Sequence, residues 1–377
     1  MKNLKKLDAY IDGSLVGTLA IMKDGRVAFQ YDSSWLKNGF AISPFDLPLR
    51  GEVFIPKNMN CRGLFGIFED SLPDAWGTLL TDRKLGEMGI DPTQVNVLDR
   101  LSLVGDAGAG DIEYIPSASI EESDFTEKSF DEIKAACDEL MNGNTDHLDE
   151  LFAHGGSSGG ARPKVYTKYK GQDWLVKFPL STDKENAGAI EYEYSKIACK
   201  CGIEMSETKL FPSKKCDGYF GTKRFDRSDG DRAHVATVKA LLGLPFDMPS
   251  LDYSSLMQLT DILTIHDEDT IRQMFRLACF NVYAHNQDDH SRNFAFIYDK
   301  EKDKWNMAPA YDLTYSTTAY NEHTTSVNWK GNPDDSDLLA IAEPFGISKK
   351  EAEEIIGKTK DICNKCHCYE HIASELC

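Results

Sequence analysis

The stretch HNQDDHSRNF, residues 285–294, places two aspartates, two histidines and two asparagines between two apolar segments. The preceding segment, residues 271–284, repeats apolar side chains at helical intervals in one stripe from Ile271 to Val282 and predicts a buried helix. The segment that follows, FAFIYD at 294–299, predicts a strand. Sites are usually built on loops that packed elements hold in place. The decapeptide therefore predicts a site between a helix and a strand.

The composition is that of a globular protein with more than one folding unit. A chain of 377 residues exceeds one ordinary core, and a hydrophobic content of 41% argues against disorder. The net charge is −19 and no large lysine or arginine cluster is present, so direct nucleic-acid binding is disfavoured. Ten cysteines, mostly scattered singly, and a start without an apolar signal segment favour reduced thiols and a cytoplasmic location. No apolar run long enough for a membrane span is present.

The pattern divides the chain into four stretches. Residues 1–115 predict a strand-rich subdomain with short helices, and residues 116–150 predict an acidic connection with one helix over about 129–141. Residues 151–228 predict short strands, and residues 229–377 are mainly helical. The predicted fold class is α+β, with a strand-rich part followed by a helical part.

A glycine-rich loop opens the third stretch, in GGSSGGARPKVYTKY at 155–169. Glycines allow several backbone N–H groups to approach a phosphate closely. A Walker A loop is rejected, because Ala161 and Arg162 stand where lysine and serine or threonine are required. Taken alone, such a loop is more often a flexible connector than a phosphate site.

One lysine interrupts the apolar strand that follows, DWLVKFP at 173–179. An ammonium group in an apolar strand is costly unless it is paired or reaches the surface, so Lys177 is either a surface-reaching side chain or a ligand-binding one. A glycine loop, a strand, a turn and a lysine-bearing strand follow one another in the small lobe of protein kinases, where that lysine holds the nucleotide phosphates.

Two aspartates and an asparagine complete the pattern. Asp288 and Asn293 are five residues apart, the spacing of the kinase catalytic loop, and a predicted hairpin leads from Asn293 to Asp312 in WNMAPAYDLTYS. Each alone is a weak signal, and Asp312 alone is more often a turn or capping residue. Together, a carboxylate to accept a proton and two oxygen ligands for magnesium are what phosphoryl transfer from ATP requires.

At this point the sequence resembles the HipA serine/threonine kinases, the toxin half of bacterial toxin–antitoxin pairs. The resemblance covers nearly the whole chain and rests on motifs in series, which are LFGIFEDSLPDAWG, LSLVGDAGAGDIEY, SSGGARPKV, WLVKFP, TKRFDR, HNQDDHSRNF and APAYDLT. It implies a two-lobed protein-kinase-like fold, in which a HipA-type N-terminal subdomain is added to the strand-rich lobe and the C-terminal lobe is mainly helical.

The resemblance also implies roles for individual residues. Asp288 would be the catalytic base, Asn293 and Asp312 would bind magnesium, and Ser157 matches the autophosphorylated serine whose modification inactivates the kinase. The implied nucleotide-binding residues come from the glycine loop, the lysine strand, the next helix, the hinge and the catalytic loop, and they are Ser158, Gly159, Gly160, Ala161, Lys177, Glu191, Lys223, Arg224, Phe225, Asp226 and His290. Glu193 is the alternative to Glu191.

The match is incomplete at two places, and two metal sites compete with it. Lys223 stands where the hinge often has glutamate, and HVATVKALLG at 234–243 lacks an expected acidic pair. His285 and His290 could hold zinc, but hydrogen bonding and helix capping are the favoured roles. In the tail, a set of Cys363, Cys366, His367 and His371 could bind a metal, but an ordinary terminal helix is the favoured interpretation.

The implied function is an ATP- and magnesium-dependent protein serine/threonine kinase that arrests growth by phosphorylating a translation component, such as an aminoacyl-tRNA synthetase. A HipB-like antitoxin would be the partner, and DNA contact would be indirect. One alternative is a small-molecule kinase of the aminoglycoside-phosphotransferase type, against which the N-terminal subdomain argues. Another is a catalytically silent pseudokinase, against which the filled polar positions argue.

Overall fold

The structure is a computed structural model that describes residues 3–118, 128–228, 230–245 and 251–366. The chain forms two compact units. The first comprises residues 1–188 and 210–245, and the second comprises residues 189–209 and 246–377. The four-part division that the sequence predicts remains a prediction.

Runs of strands and runs of helices follow one another along the described chain. The strands are β1 (Lys6–Ile11), β2 (Ser14–Ile21), β3 (Val27–Tyr31), β4 (Glu113–Ile115), β5 (Lys164–Tyr169), β6 (Gln172–Lys177), β7 (Thr208–Phe211), β8 (Tyr219–Lys223), β9 (Arg227–Ser228), β10 (Asp231–Arg232), β11 (His234–Thr237), β12 (Ala295–Asp299) and β13 (Lys304–Met307). The helices are α1 (Trp35–Asn38), α2 (Gly66–Glu69), α3 (Ala75–Glu87), α4 (Val97–Val104), α5 (Phe130–Met141), α6 (Leu148–Gly155), α7 (Ala187–Lys200), α8 (Val238–Leu242), α9 (Tyr253–Leu263), α10 (Glu268–Tyr283), α11 (Asp335–Ala342) and α12 (Lys349–Lys365), with 3₁₀ turns at Pro92–Gln94 and Glu343–Phe345.

The N-terminal part of the first unit is built on an antiparallel sheet with the strand order β3-β2-β1-β4. Asp12 and Gly13 both have positive φ, at 49° and 71°, which is the backbone geometry of a tight hairpin turn between β1 and β2. Alternate residues of β1 are buried, as expected for a strand with one face on a core. The Asp-Gly turn and the flanking strands are therefore local consequences of sequence.

A second antiparallel sheet carries the glycine loop and the lysine strand. Its strand order is β5-β6-β8-β7, and helices α3, α5 and α6 pack against it. Their shared core includes Trp76, Leu140, Leu151, Trp174 and Phe211. The N-terminal helix α3 and the acidic connection thus share one core with the strands that lead from the glycine loop.

The helix predicted over about 129–141 is confirmed as α5. Ser129 caps it, because its hydroxyl accepts from Glu132 N and the Glu132 carboxylate accepts in turn from Ser129 N. The acidic side chains of its first turn favour the positive end of the helix dipole.

Helices α9 to α12 and the hairpin β12–β13 form most of the second unit. Helix α10 buries Ile271, Met274, Phe275 and Ala278, and leaves Val282 partly exposed. The predicted helix, loop and strand around residues 285–294 are confirmed.

The C-terminal helix α12 ends at Lys365 and buries Cys363. His367 and His371 of the predicted tail cluster lie outside the described residues. Within the described ranges, no helix is both long enough and apolar enough to cross a membrane.

Candidate active site

The glycine loop, residues 155–161, joins α6 to β5 and is tied to the first turn of α3. Gly160 has φ +81°, a backbone conformation that favours glycine. Gly160 N donates to Asp74 Oδ2 at 2.9 Å, and Trp76 N donates to Gly160 O at 3.2 Å. A backbone N–H of the kind that binds phosphate is therefore already bonded to a carboxylate.

The two serines of the glycine loop differ in their surroundings. Ser158 is fully buried, and its hydroxyl donates to Gly155 O at 2.6 Å, which closes the end of α6. Ser157 is partly exposed, and its hydroxyl donates to Ala107 O at 2.7 Å. Ser157 therefore connects the glycine loop to the 105–111 loop, which follows α4.

Two lysines lie opposite one another on the strands that follow the glycine loop. Lys177 ends β6, pairs in register with Lys164 of β5, and has its Nζ 5.6 Å from the ring centroid of Phe220. Lys164 is only 6% exposed. The register therefore places two lysines side by side on neighbouring strands of the hairpin. Lys164 was not among the residues predicted from the sequence. The hairpin register that places it opposite Lys177 could have indicated it.

The predicted hinge begins at Lys223, the last residue of β8, and the charges of Arg224 and Asp226 are paired inside the first unit. Arg224 lies 4.2 Å from the ring centroid of Tyr166 and donates to both oxygens of Asp226, at 2.9 and 2.7 Å. Asp226 also accepts from Gly110 N at 3.0 Å and from Arg227 at 2.8 Å. The predicted contact of Asp226 with ribose therefore stays a prediction, while its carboxylate visibly anchors the hinge to the 105–111 loop.

The buried ionic network gives Asp226 a large effect on stability at neutral pH. Burial would raise the pKa of Asp226, but the charges of Arg224 and Arg227 outweigh that effect and hold the pKa at about 2. The folded-state pKa lies below the unfolded value of about 3.9, so the stabilisation is present above pH 4 and is lost as the pH falls toward 2; it is on the order of 2 kcal/mol.

We therefore predict that the stability difference between the wild type and Asp226→Asn shrinks as the solution is acidified. Urea unfolding at pH 6, 4 and 3 measures that difference, with Glu52→Gln on an exposed loop as the control. A difference that stays constant from pH 6 to pH 3 would show that the carboxylate carries no charge-dependent stabilisation.

In the second unit, hydrogen bonds to the backbone of Asp288 hold this residue of the decapeptide at the protein surface. Asp288 N donates to Ser316 Oγ at 2.9 Å, and Asn293 Nδ2 donates to Asp288 O at 2.7 Å. The Asp288 side chain is 65% exposed, and its Oδ1 lies 4.0 Å from His290 Nε2. The structure therefore brings Asp288, His290 and Asn293 together, and leaves the Asn293 amide oxygen as a candidate cation ligand.

The neighbouring Asp289 is completely buried and serves the packing of the loop. Its Oδ2 accepts from the Tyr253 hydroxyl and pairs with His323 Nδ1, both at 3.0 Å, while its Oδ1 accepts from Thr325 N at 3.1 Å. Two adjacent aspartates thus have opposite environments.

Asp312 follows the hairpin β12–β13 in a left-handed backbone conformation, with φ +57°. Non-glycine residues in this region cluster at functional sites. The preceding Tyr311 donates its hydroxyl to Arg292 O at 2.5 Å, which joins this segment to the decapeptide. One carboxylate and one amide oxygen are a donor set that suits magnesium together with phosphate oxygens and water.

Two further residues that the sequence singled out, Glu191 and His285, lie in the second unit. Glu191 is half-buried on α7 and belongs to the second unit. Burial lowers the pKa of His285, which keeps this histidine neutral at the end of α10. No group of three or more histidine, cysteine, aspartate or glutamate side chains is arranged to hold a metal within the part of the chain that the structure describes.

Two family matches account for most of the chain. Residues 156–366 match the HipA-like C-terminal domain, and residues 7–115 match the HipA N-terminal domain. The candidate kinases Y4mE and Y4dM of Sinorhizobium fredii (strain NBRC 101917 / NGR234) are 26% and 23% identical to this chain. The alignments cover 84% and 87% of this chain, and 78% and 82% of the respective relatives.

A solved structure has a similar fold. It is the complex of the Shewanella oneidensis MR-1 toxin–antitoxin system, HipA, HipB and its operator DNA. The match has a TM-score of 0.70 at 16% identity and covers 97% of this chain and 91% of that chain. The predicted α+β fold class is confirmed by this likeness.

Proposed function

We propose, because this chain belongs to the HipA family, that it is an ATP- and magnesium-dependent kinase that phosphorylates serine or threonine in proteins. The observation that carries this proposal is the geometry of the decapeptide. The carboxylate of Asp288 is exposed, while hydrogen bonds to Ser316 and Asn293 hold its backbone in place. A fixed and accessible carboxylate is suited to orient a substrate hydroxyl and to accept its proton.

We propose that cationic groups of the first unit bind the phosphates. Lys177 would bind phosphate oxygens, and so would Lys164, which was not predicted from the sequence. The glycine loop from Ser158 to Ala161 would contribute backbone donors. The hydrogen bond from Gly160 N to the Asp74 carboxylate would have to break before Gly160 N could donate to a phosphate. The other proposed nucleotide-binding residues are Glu191, the hinge residues Lys223 to Asp226, and His290.

Asp312 and Asn293 would hold magnesium through a carboxylate and an amide oxygen. The ion, when bound, would neutralise charge that develops on the phosphates. The chain's own contribution is to position these oxygens, because Asn293 Nδ2 is committed to Asp288 O and Asp312 adopts an uncommon backbone conformation.

We further propose a substrate and a partner of the family type. The substrate would be a translation component such as an aminoacyl-tRNA synthetase, and its phosphorylation would arrest growth. The partner would be a HipB-like antitoxin that contacts DNA itself, in keeping with the net charge of −19 of this chain. Ser157, partly exposed on the glycine loop, would be the site of autophosphorylation.

Transfer of labelled γ-phosphate from ATP to proteins of a host lysate tests the proposal. We predict that Lys177→Met lowers the labelling rate by about 10²-fold or more, because it removes a fixed charge from the phosphates. Lys168→Met is the matched control, since Lys168 is an exposed lysine of the adjacent strand β5.

The outcomes separate the candidate functions. Label in protein that is lost in Lys177→Met but kept in Lys168→Met supports a protein kinase. Label found only in small molecules would favour the small-molecule kinase, and nucleotide binding without any transfer would favour the silent binding module. Equal protein labelling by both variants would contradict the role of Lys177.

A further inference from the structure

The 105–111 loop, with the sequence GDAGAGD, is the glycine-rich part of the motif LSLVGDAGAGDIEY and contributes no side chain to the proposed phosphoryl transfer. It lies between α4 and β4 in the first unit, to which the glycine loop and the hinge also belong. Gly110 has φ +77°, in the left-handed region that favours glycine. The glycines of this loop also let neighbouring side chains approach its backbone groups closely.

The 105–111 loop is bound to the end of the hinge. Arg227 follows the hinge residue Asp226, and both side chains are largely buried. Arg227 Nη1 donates to Gly110 O and Arg227 Nη2 donates to Gly108 O, both at 2.8 Å. The Asp226 carboxylate accepts from Gly110 N at 3.0 Å and from Arg227 Nη1 at 2.8 Å. One guanidinium therefore binds two carbonyl groups of the loop and the hinge carboxylate at the same time.

The 105–111 loop is also bound to the glycine loop. Ser157 Oγ donates to Ala107 O at 2.7 Å. Ala107 directly precedes Gly108, so Ser157 and Arg227 donate to consecutive carbonyl groups. The peptide unit between these carbonyl groups is planar and stiff. A displacement of the hinge would therefore be transmitted to the glycine loop across a single peptide unit.

We propose that the 105–111 loop holds the glycine loop at a fixed distance from the hinge, and that Arg227 is the positioning residue on which this link depends. The inference rests on the proposed function, in which the hinge and the glycine loop bind the two ends of one nucleotide. Arginine suits this position because its planar fork reaches several acceptors, whereas lysine is a point charge on a flexible stem. The HipA N-terminal domain, which contains the 105–111 loop, thereby sets the nucleotide affinity of the neighbouring domain.

The link matters most for a ligand that reaches both the hinge and the glycine loop. A nucleotide with phosphates contacts the hinge through its base and the glycine loop through its phosphates, so a preformed spacing lowers the ordering cost of binding. Adenosine has no phosphates and uses the hinge alone. Loss of the link is therefore expected to weaken the binding of ADP much more than that of adenosine.

Calorimetric titrations of ADP with magnesium, and of adenosine, into the full-length chain compare the two ligands without any phosphoryl transfer. Arg227→Lys is expected to weaken ADP binding about tenfold or more, because hydrogen bonds from a charged donor are lost, and to leave adenosine binding near that of the wild type. Arg26→Lys is the matched control, since Arg26 likewise binds a carboxylate and a carbonyl, those of Asp24 and Pro56. Thermal melting of each variant verifies that it is folded.

Hydrogen exchange in the nucleotide-free chain tests the link without any ligand. The amides of Ser158 and Gly160 are hydrogen-bonded, so their exchange rates report opening of the glycine loop. Arg227→Lys is expected to exchange these amides faster than the wild type, and Arg26→Lys to exchange them at the rate of the wild type.

Ser157→Ala breaks the link at its other end and is expected to fold, because Ser157 is partly exposed. It should weaken ADP binding and speed exchange of the glycine loop in the same direction as Arg227→Lys. The double variant should be little worse than Arg227→Lys alone, because both substitutions break the same link and coupled sites are not additive.

The outcomes separate the link from a general effect on folding and from the proposed function. Equal losses of ADP and adenosine affinity in Arg227→Lys would overturn the proposal, and so would unchanged exchange of the glycine loop. Effects of the two substitutions that multiply in the double variant would also contradict a shared link. If neither ADP nor adenosine binds the wild type, the proposed nucleotide function fails, and the exchange rates alone decide whether the link exists.

Discussion

Replacing Asp288 by asparagine is expected to lower the rate of phosphoryl transfer to protein by about 10³-fold, within the range of about 10² to 10⁴ that is typical for loss of a general base. The Asp288 side chain is 65% exposed, so it is accessible to a substrate hydroxyl. An amide of the same size cannot accept the proton. The backbone hydrogen bonds to Ser316 and Asn293 do not involve the carboxylate and should persist.

The control for Asp288→Asn is its effect on folding and on nucleotide binding. An exposed substitution usually changes the free energy of unfolding by less than about 0.5 kcal/mol. We therefore expect an unchanged melting temperature and an ATP affinity close to that of the wild type, together with a transfer rate near background. Full activity in Asp288→Asn would remove this residue from the mechanism, and a large loss of stability would assign it a structural role instead.

Local patterns were sufficient to predict the elements that carry the site. The apolar stripe before residue 285 predicted α10, and the apolar segment after residue 293 predicted β12. Ser129 and Glu132 form the capping box at the start of the predicted helix α5. These features depend on side chains a few residues apart, so the pattern of one segment already contains the physical information.

Contacts between distant segments could not be predicted in the same way. Asp226 binds Gly110 N from 116 positions away, and Asp74 binds Gly160 N from 86 positions away. No spacing or periodicity marks such partners, because they meet only after the sheets and helices have packed. The position of Lys164 was not predicted for a related reason, because it follows from the register opposite Lys177 in the hairpin.

In the decapeptide, the sequence alone likewise does not distinguish the environments of two adjacent residues. Asp288 and Asp289 have identical chemistry, and nothing in HNQDDHSRNF says which one faces solvent. The segment after Asp312 makes the distinction, because it supplies His323 and Thr325 as partners for Asp289. The spacing of the kinase catalytic loop favours Asp288 as the proposed functional residue, and the hydrogen bonds of the buried Asp289 give the second aspartate a structural role.

Replacing Asp289 by alanine is expected to cost about 3–5 kcal/mol of unfolding free energy, because removing one member of a buried polar network leaves its partners without bonds. Asp289 is fully buried and accepts from Tyr253, His323 and Thr325. Burial raises the pKa of Tyr253 well above its usual value, and the charge of Asp289 adds to the effect, so the Tyr253 hydroxyl stays protonated and remains a donor. None of these buried donors can turn to water.

Thermal and urea unfolding of Asp289→Ala beside Asp288→Asn measures the two roles together. A loss of 3–5 kcal/mol corresponds to a melting temperature lower by roughly 10 °C, at about 2–4 °C for each kcal/mol in a folding unit of this size. Asp289→Asn is the milder companion, because its amide oxygen can still accept from Thr325 N. Below its melting temperature, Asp289→Ala should keep measurable transfer activity, since Asp288 is still present. An Asp289→Ala chain that melts like the wild type would contradict the structural role, because a buried carboxylate with three partners cannot be removed without cost.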